Sequence, residues 1–179
     1  NTPANAPHAT FRDLGFVANE DHTFDVYAAG GLGSNPKMGI CVARQIAPEK
    51  TLYYIKAMID TFTAFGNYEN RGRARTRYLQ DTLGADGLRE AFTEKLNCAL
   101  QSEDLDLSVP PFSVTKKGDG EITHPRVIAQ KQPGLYAVSY HPIGGNPTPE
   151  CMQRLYDAIL PMEDGEIRLS PDESMYLIN

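Results

Sequence analysis

Hydrophobic and polar positions alternate over residues 14–18 and again over 23–28, and the polar tetrad Asn19-Glu20-Asp21-His22 between them predicts a hairpin. From Pro48, suited to a first helical position, Leu52, Ile55, Ile59 and Phe62 recur at helical spacing until Gly66. This stripe is expected to pack on a core. A second helix is expected over 71–83, ending before Gly84, and a third over about 87–100 with Leu88, Phe92 and Leu96 on one side. The periodicity then fades through residues 101–125, where Glu103, Asp104 and Asp106 precede Pro110-Pro111 and a Lys116-Lys117-Gly118-Asp119-Gly120-Glu121 run. Such a polar, turn-rich stretch marks a domain boundary. Beyond it, strands are expected over 135–141, 166–169 and 175–178, and a helix over 148–160 with Thr148 as its cap and Pro149 in its first turn.

With 179 residues, 41% of them hydrophobic, the chain can hold one ordinary domain or two small ones. A net charge of −6 argues against nucleic acid as a partner, because phosphate-backbone affinity rests on an excess of Lys and Arg. No run approaches the roughly 20 apolar residues of a membrane helix, and the first residues lack a signal pattern, so no membrane association and a cytoplasmic location are expected. Residues 1–10 open without methionine and read as the edge of a piece cut from something longer. Cys41, Cys98 and Cys151 lie more than fifty residues apart, which suits neither a local metal motif nor a disulfide framework. Reduced, mostly buried thiols are expected. His8, His22, His124 and His141 show no ligand spacing, and Glu163-Asp164 reads as a solvated turn.

Candidate chemistry lies in two runs. Residues 25–36, Asp-Val-Tyr-Ala-Ala-Gly-Gly-Leu-Gly-Ser-Asn-Pro, carry a strand into Gly30, Gly31 and Gly33, where backbone N–H groups can approach a ligand. Residues 71–77 alternate Arg71, Arg73, Arg75 and Arg77, a basic island in an acidic chain. Together they suggest a site for a large anion. The spacing excludes the dinucleotide fingerprint, since Pro36 occupies the place of its last small residue, and excludes the phosphate loop, since Lys37 precedes Met38. On a helix, Arg71, Arg75 and Tyr78 would share one face and Arg73 and Arg77 another, so half the run at most could meet one ligand. The bland alternatives are a tight turn for the glycines and, for the arginines, a solvated face paired with Glu69 and Asp81, with Arg73 and Arg77 evenly balanced between that face and a ligand.

The Phe-Arg-Asp-Leu-Gly-Phe-Val segment at 11–17, the Ala-Gly-Gly-Leu-Gly loop and the Gly-Asn-x-x-Asn-Arg-x-x-Ala-x-x-Arg-Tyr run at 66–78 resemble the sirohaem-dependent nitrite and sulfite reductases. Gln132-Pro133-Gly134-Leu135-Tyr136 and Gly165-Glu166-Ile167-Arg168-Leu169-Ser170 are similar to the start and finish of that family's ferredoxin-like half-domain. The resemblance implies an α+β fold, a mixed sheet with packed helices followed by a ferredoxin-like half-domain. It implies a partial sirohaem/4Fe-4S-type domain over 1–105, a linker over 106–125 and the half-domain over 126–179. It further implies a parent oxidoreductase that reduces sulfite to sulfide or nitrite to ammonia with sirohaem and a 4Fe-4S cluster. Gly30, Gly31, Gly33, Arg71, Arg75 and Arg168 are the implied cofactor-side residues.

On the same resemblance, the family's lysine pair would precede residue 1 and its cluster cysteines would follow residue 179. The isolated chain is therefore expected to bind neither cofactor and to be inactive. Its implied partners are the remainder of the parent polypeptide and an electron donor, ferredoxin or a reductase subunit. Glu173-Ser174 departs from the family's glutamine and asparagine, and a carboxylate there would repel a carboxylate-rich ligand. Two other readings stand beside this one: a precorrin-modifying enzyme of cobalamin synthesis, and a cofactor-free structural or docking domain.

Overall fold

Three antiparallel strands, β1 (Leu14–Ala18), β2 (Phe24–Ala28) and β3 (Ile40–Ile46), form the first sheet of the computed structural model in the order β1-β2-β3. The model describes residues 5, 7–109, 116–162, 165–170 and 172–178. Two compact units divide the chain, Asn1–Pro110 and Pro111–Asn179. No helix is long and apolar enough to cross a membrane among the described residues.

The periodicity predicts β1 and β2 but not β3, where Ile40 and Val42 turn inward while Arg44 and Gln45 face solvent. Where β3 slips register against β2, Gln45 takes a positive φ of 52° and its N–H donates to Asp25 Oδ1 at 3.1 Å, replacing the ladder partner it has lost. α1 (Thr51–Phe65) and α2 (Leu79–Ser102) pack together against this sheet. The core they enclose holds Ala28, Ala29, Ala57, Met58, Leu79, Leu88 and Phe92.

Three expectations change here. α1 buries Tyr53, Ala57, Met58 and Thr61; of the expected stripe Phe62 packs against the core, while Ile55 and Ile59 are exposed. Residues 71–78 are not a helix. Two 3-10 turns, Arg71–Arg73 and Thr76–Tyr78, are separated by extended Arg75 (φ −135°, ψ 147°). Asn70 closes the first of these turns by accepting the Gly72 N–H, and Gly72 adds the backbone entropy that disfavours helix. The break at Gly84 is present, but as a kink within α2, with Gly84 at φ 69° and ψ 179°.

In the second unit β4 (Val127–Ala129), β5 (Tyr136–Tyr140), β6 (Glu166–Leu169) and β7 (Met175–Ile178) form a sheet in the order β4-β5-β7-β6. α3 (Pro149–Ile159) connects β5 to β6, and Thr148 caps it by accepting the Cys151 N–H. Since β7 is antiparallel to both neighbours, β5 and β6 run parallel with β7 between them, a split β-α-β unit of ferredoxin-like type. The fold is therefore α+β, and every described strand pairing is antiparallel where a mixed sheet was expected. The hairpin connections are too short for directly paired parallel strands, which need a crossover of a dozen or more residues, and the one crossover of that length, through α3, leaves β5 and β6 parallel but separated by β7. Glu163, Asp164, Pro110 and Pro111 lie outside the described residues.

Candidate functional site

The glycine run is the connection from β2 to β3. Ala29, in the left-handed region at φ 59°, is held on both sides: its N–H donates to Asp13 O at 2.8 Å and its carbonyl accepts from Gln80 Nε2 at 2.7 Å. Such a backbone costs of order 1–3 kcal/mol and persists where its surroundings over-determine it. Gly30 donates to Arg12 O at 3.0 Å, and a Cβ there would meet Arg12 O at 2.8 Å and Thr10 O at 2.9 Å. Gly31 and Lys37 exchange both backbone hydrogen bonds at 2.9 Å, which pins the neck of a loop over residues 31–37. From the neck outward, residues 32–36 are exposed, with Gly33 at φ 123°.

The Thr76–Tyr78 turn and the start of α2 grip this loop from the other side. Gln80 Nε2 also donates to Met38 O at 2.8 Å, and Asp81 pairs with Lys37. Arg77 is 8% exposed, donates from Nη1 to Leu32 O at 3.0 Å and lies along the glycines. A Cβ on Gly31 would stand 3.3 Å from its Cδ, and one on Gly33 3.6 Å from its Nη2. Its Nε–H is buried without a hydrogen-bond partner, and it makes no ion pair among the described residues. The Tyr78 ring lies beneath it, 5.0 Å from Cζ to centroid, and Arg73 approaches the same ring at 5.6 Å.

The site residues named from sequence therefore separate. The amides of Gly30 and Gly31 are consumed inside the fold, so the free-amide role expected of them is not what these two glycines do; they admit close backbone and the Arg77 side chain. Gly33 lies on the exposed part of the loop. Arg71 is exposed, and Arg75 is exposed and pairs with Asp13 at 3.5 Å, beside Thr76, which donates to the same carboxylate. The helix behind the face division is absent, yet Arg73 and Arg77 still fall together and apart from Arg75: they share the Tyr78 ring, which was expected on the other face, and Arg75 leads to Asp13. Arg77, weighed evenly against solvent in the sequence, is the guanidinium that meets the loop. Spacing alone could not single it out.

Arg168 belongs to the second unit, exposed on β6 and paired with Glu166 at 2.9 Å. Tyr140 Oη lies 2.9 Å from Cys151 Sγ, which places α3 on the Tyr140 face of the sheet. Arg168 lines a shallow concavity with Gln130, Lys131, Gln132, Tyr176 and Ile178 on the other face. A Cβ on Gly145 would meet the Glu173 carboxylate, so Glu173 folds against the 143–145 turn. The hollow at the β1–β2 turn, lined by Glu20, Asp21, Asp25 and Arg44, is carboxylate-rich and unsuited to an anion. All four histidines are exposed. The cysteines are less buried than expected, Cys98 exposed and Cys41 and Cys151 half-buried. No three His, Cys, Asp or Glu side chains gather as a metal-ligand set among the described residues.

Residues 1–100 match the family model described as the nitrite and sulphite reductase 4Fe-4S domain. The chain belongs to the nitrite and sulphite reductase family. It is 27% identical over 179 residues to the ferredoxin–nitrite reductase of Synechococcus elongatus, covering 97% of this chain and 33% of that protein. To the sulfite reductase [NADPH] hemoprotein beta-component of Neisseria meningitidis it is 30% identical over 128 residues, 65% of this chain and 21% of that one. The NirA protein of Mycobacterium tuberculosis superposes with a TM-score of 0.67 over 95% of this chain and 30% of its own, at 22% identity, a likeness of fold. The chain thus spans a third or less of the length of these relatives.

Proposed function

We propose that this chain is one segment of a longer reductase that converts sulfite to sulfide or nitrite to ammonia, and that its loop over residues 31–37 forms part of the wall around sirohaem. The observation that carries this reading is Arg77, a buried guanidinium laid along Gly31 and Gly33 with one carbonyl bond, an orphaned Nε–H and no carboxylate partner among the described residues. A charge in that setting costs several kcal/mol unless an anion answers it. A tetrapyrrole ringed by carboxylates supplies such anions, and planar guanidinium is the donor that stays charged and binds them in pairs. The residues therefore fit the macrocycle.

When bound, sirohaem supplies an iron that holds the oxyanion and passes electrons to it. This chain's part is to bind and to position. Arg77 offers its guanidinium to a peripheral carboxylate, while Lys37–Asp81 and the two bonds from Gln80 keep the loop from moving when it does so. Exposed Arg71, Arg73 and Arg75 add positive potential in the same segment, and Gly33 lets the loop backbone approach closely. Gly30 and Gly31 act through close packing.

The cluster is a different matter. Cys41, Cys98 and Cys151 stand apart on β3, α2 and α3, and no ligand set forms among the described residues, so these three thiols do not fit a 4Fe-4S cluster, whose ligands would come from other parts of the parent. Residues 1–105 would be part of the sirohaem/4Fe-4S-type domain, 106–125 a linker and 126–179 a half-domain. The ferredoxin-dependent relative supports ferredoxin as electron donor, with a reductase subunit as the alternative. The reading is tested by expressing the complete reading frame. Sirohaem absorption and sulfite- or nitrite-dependent oxidation of a reduced donor are expected, with neither in the 179-residue chain alone; a complete protein that binds no tetrapyrrole would overturn it.

A further inference from the structure

α1 has two apolar faces and only one of them is covered. At about 100° per residue, Ile59 falls opposite the centre of the face that carries Tyr53, Ala57 and Thr61 into the core. Along that outer side run Leu52, Ile55 and Ile59, with Ile55 39% and Ile59 56% exposed. At the end of the helix Phe62, which packs against the core, also meets Tyr68, whose ring centroid lies 5.9 Å away and which is itself 65% exposed. Only two side chains of the helix are charged, Lys56 and Asp60, and they pair with each other at 2.5 Å, so the stripe carries no unanswered charge. A helix apolar on both sides belongs in an interior.

We infer that this outer stripe, Leu52, Ile55, Ile59 and Tyr68, is the seat of an apolar element from the remainder of the parent polypeptide. The inference rests on the reading of the chain as part of a longer reductase. Two observations choose this occupant over a second copy. The relatives carry roughly two to three times this chain's length beyond the matched region, so a tethered element is available. A stripe on one short helix covers on the order of a few hundred Å², below the roughly 800 Å² per partner of a stable association. A tethered segment avoids the loss of translational and rotational freedom that a free partner must overcome.

The test is hydroxyl-radical footprinting of the complete polypeptide, read residue by residue by mass spectrometry and comparing like with like. Tyr68 is set against Tyr53, and Ile55 and Ile59 against Ile46, because Tyr53 and Ile46 are buried here at 4% and 7% exposure. Tyr68 and the two isoleucines are expected to oxidise within about twofold of their buried counterparts, at all protein concentrations. Oxidation fivefold or more above those counterparts would overturn the inference, as would protection that disappears on tenfold dilution, which assigns the stripe to a second copy. Sirohaem absorption is recorded on the same sample. A coloured protein with an unprotected stripe refutes the seat alone, and a protected stripe without colour refutes the cofactor reading alone.

Discussion

Asp25 faces the point where β3 slips register, and its carboxylate gathers the Gln45 N–H at 3.1 Å, the Asn19 amide at 3.2 Å and the Arg44 guanidinium at 2.7 Å. Burial alone would raise its pKa, but the Gln45 and Asn19 hydrogen bonds and the Arg44 charge outweigh that and hold it below the ordinary carboxylate value. A pKa lowered by folding contributes stability above the unfolded value of about 3.9 that is lost as pH falls through the folded value. Asp25→Ala should therefore cost roughly 1–3 kcal/mol at pH 7, and the gap to wild type should shrink below about pH 4, measured by urea denaturation at both pH values. At this scale the sequence was legible in its chemistry and not in its geometry. The basic run and the glycines were visible as a pair, yet Arg77 stayed evenly weighed between ligand and solvent, because the two 3-10 turns that set the direction of every side chain between Arg71 and Tyr78 leave no trace in the spacing.

α2 contains two glycines three residues apart with opposite roles. Gly84, at φ 69° and ψ 179°, has open space where a Cβ would go, so its constraint is conformational, while Gly87 lies within regular helix with a Cβ position 3.5 Å from Leu83 Cβ. Gly84→Ala should lower stability by about 1–3 kcal/mol, whereas Gly87→Ala should raise it by about 0.4–1 kcal/mol. Paired thermal melts check both, and equal shifts would contradict the kink. The hairpin, the helix after Pro48, the break at Gly84 and the capped α3 could be read from the sequence because turn residues and capping chemistry are local. β3 was lost because a strand with one apolar face interrupted at a bulge shows little alternation. In α1 the apolar positions make two stripes, and periodicity cannot say which one the same chain will cover.

In the whole molecule, the loop proposed to meet an anion lies in a chain that spans a third or less of the length of its relatives. The family was legible because its motifs are local runs of sequence, residues 11–17, 29–33, 66–78, 132–136 and 165–170, that can be read without knowing how they fold. The direct way to test the loop's purpose is Arg77→Met in the complete protein, with thermal stability and sirohaem absorption per polypeptide read on one sample. A buried, singly bonded guanidinium adds little to folding, so methionine of similar volume should leave stability within about 1 kcal/mol of wild type or improve it. If Arg77 serves a ligand carboxylate, sirohaem occupancy should fall at least tenfold at limiting cofactor. A variant that loses stability yet keeps its full sirohaem band would contradict the account, showing Arg77 to be a clamp for the fold and the glycine loop a turn.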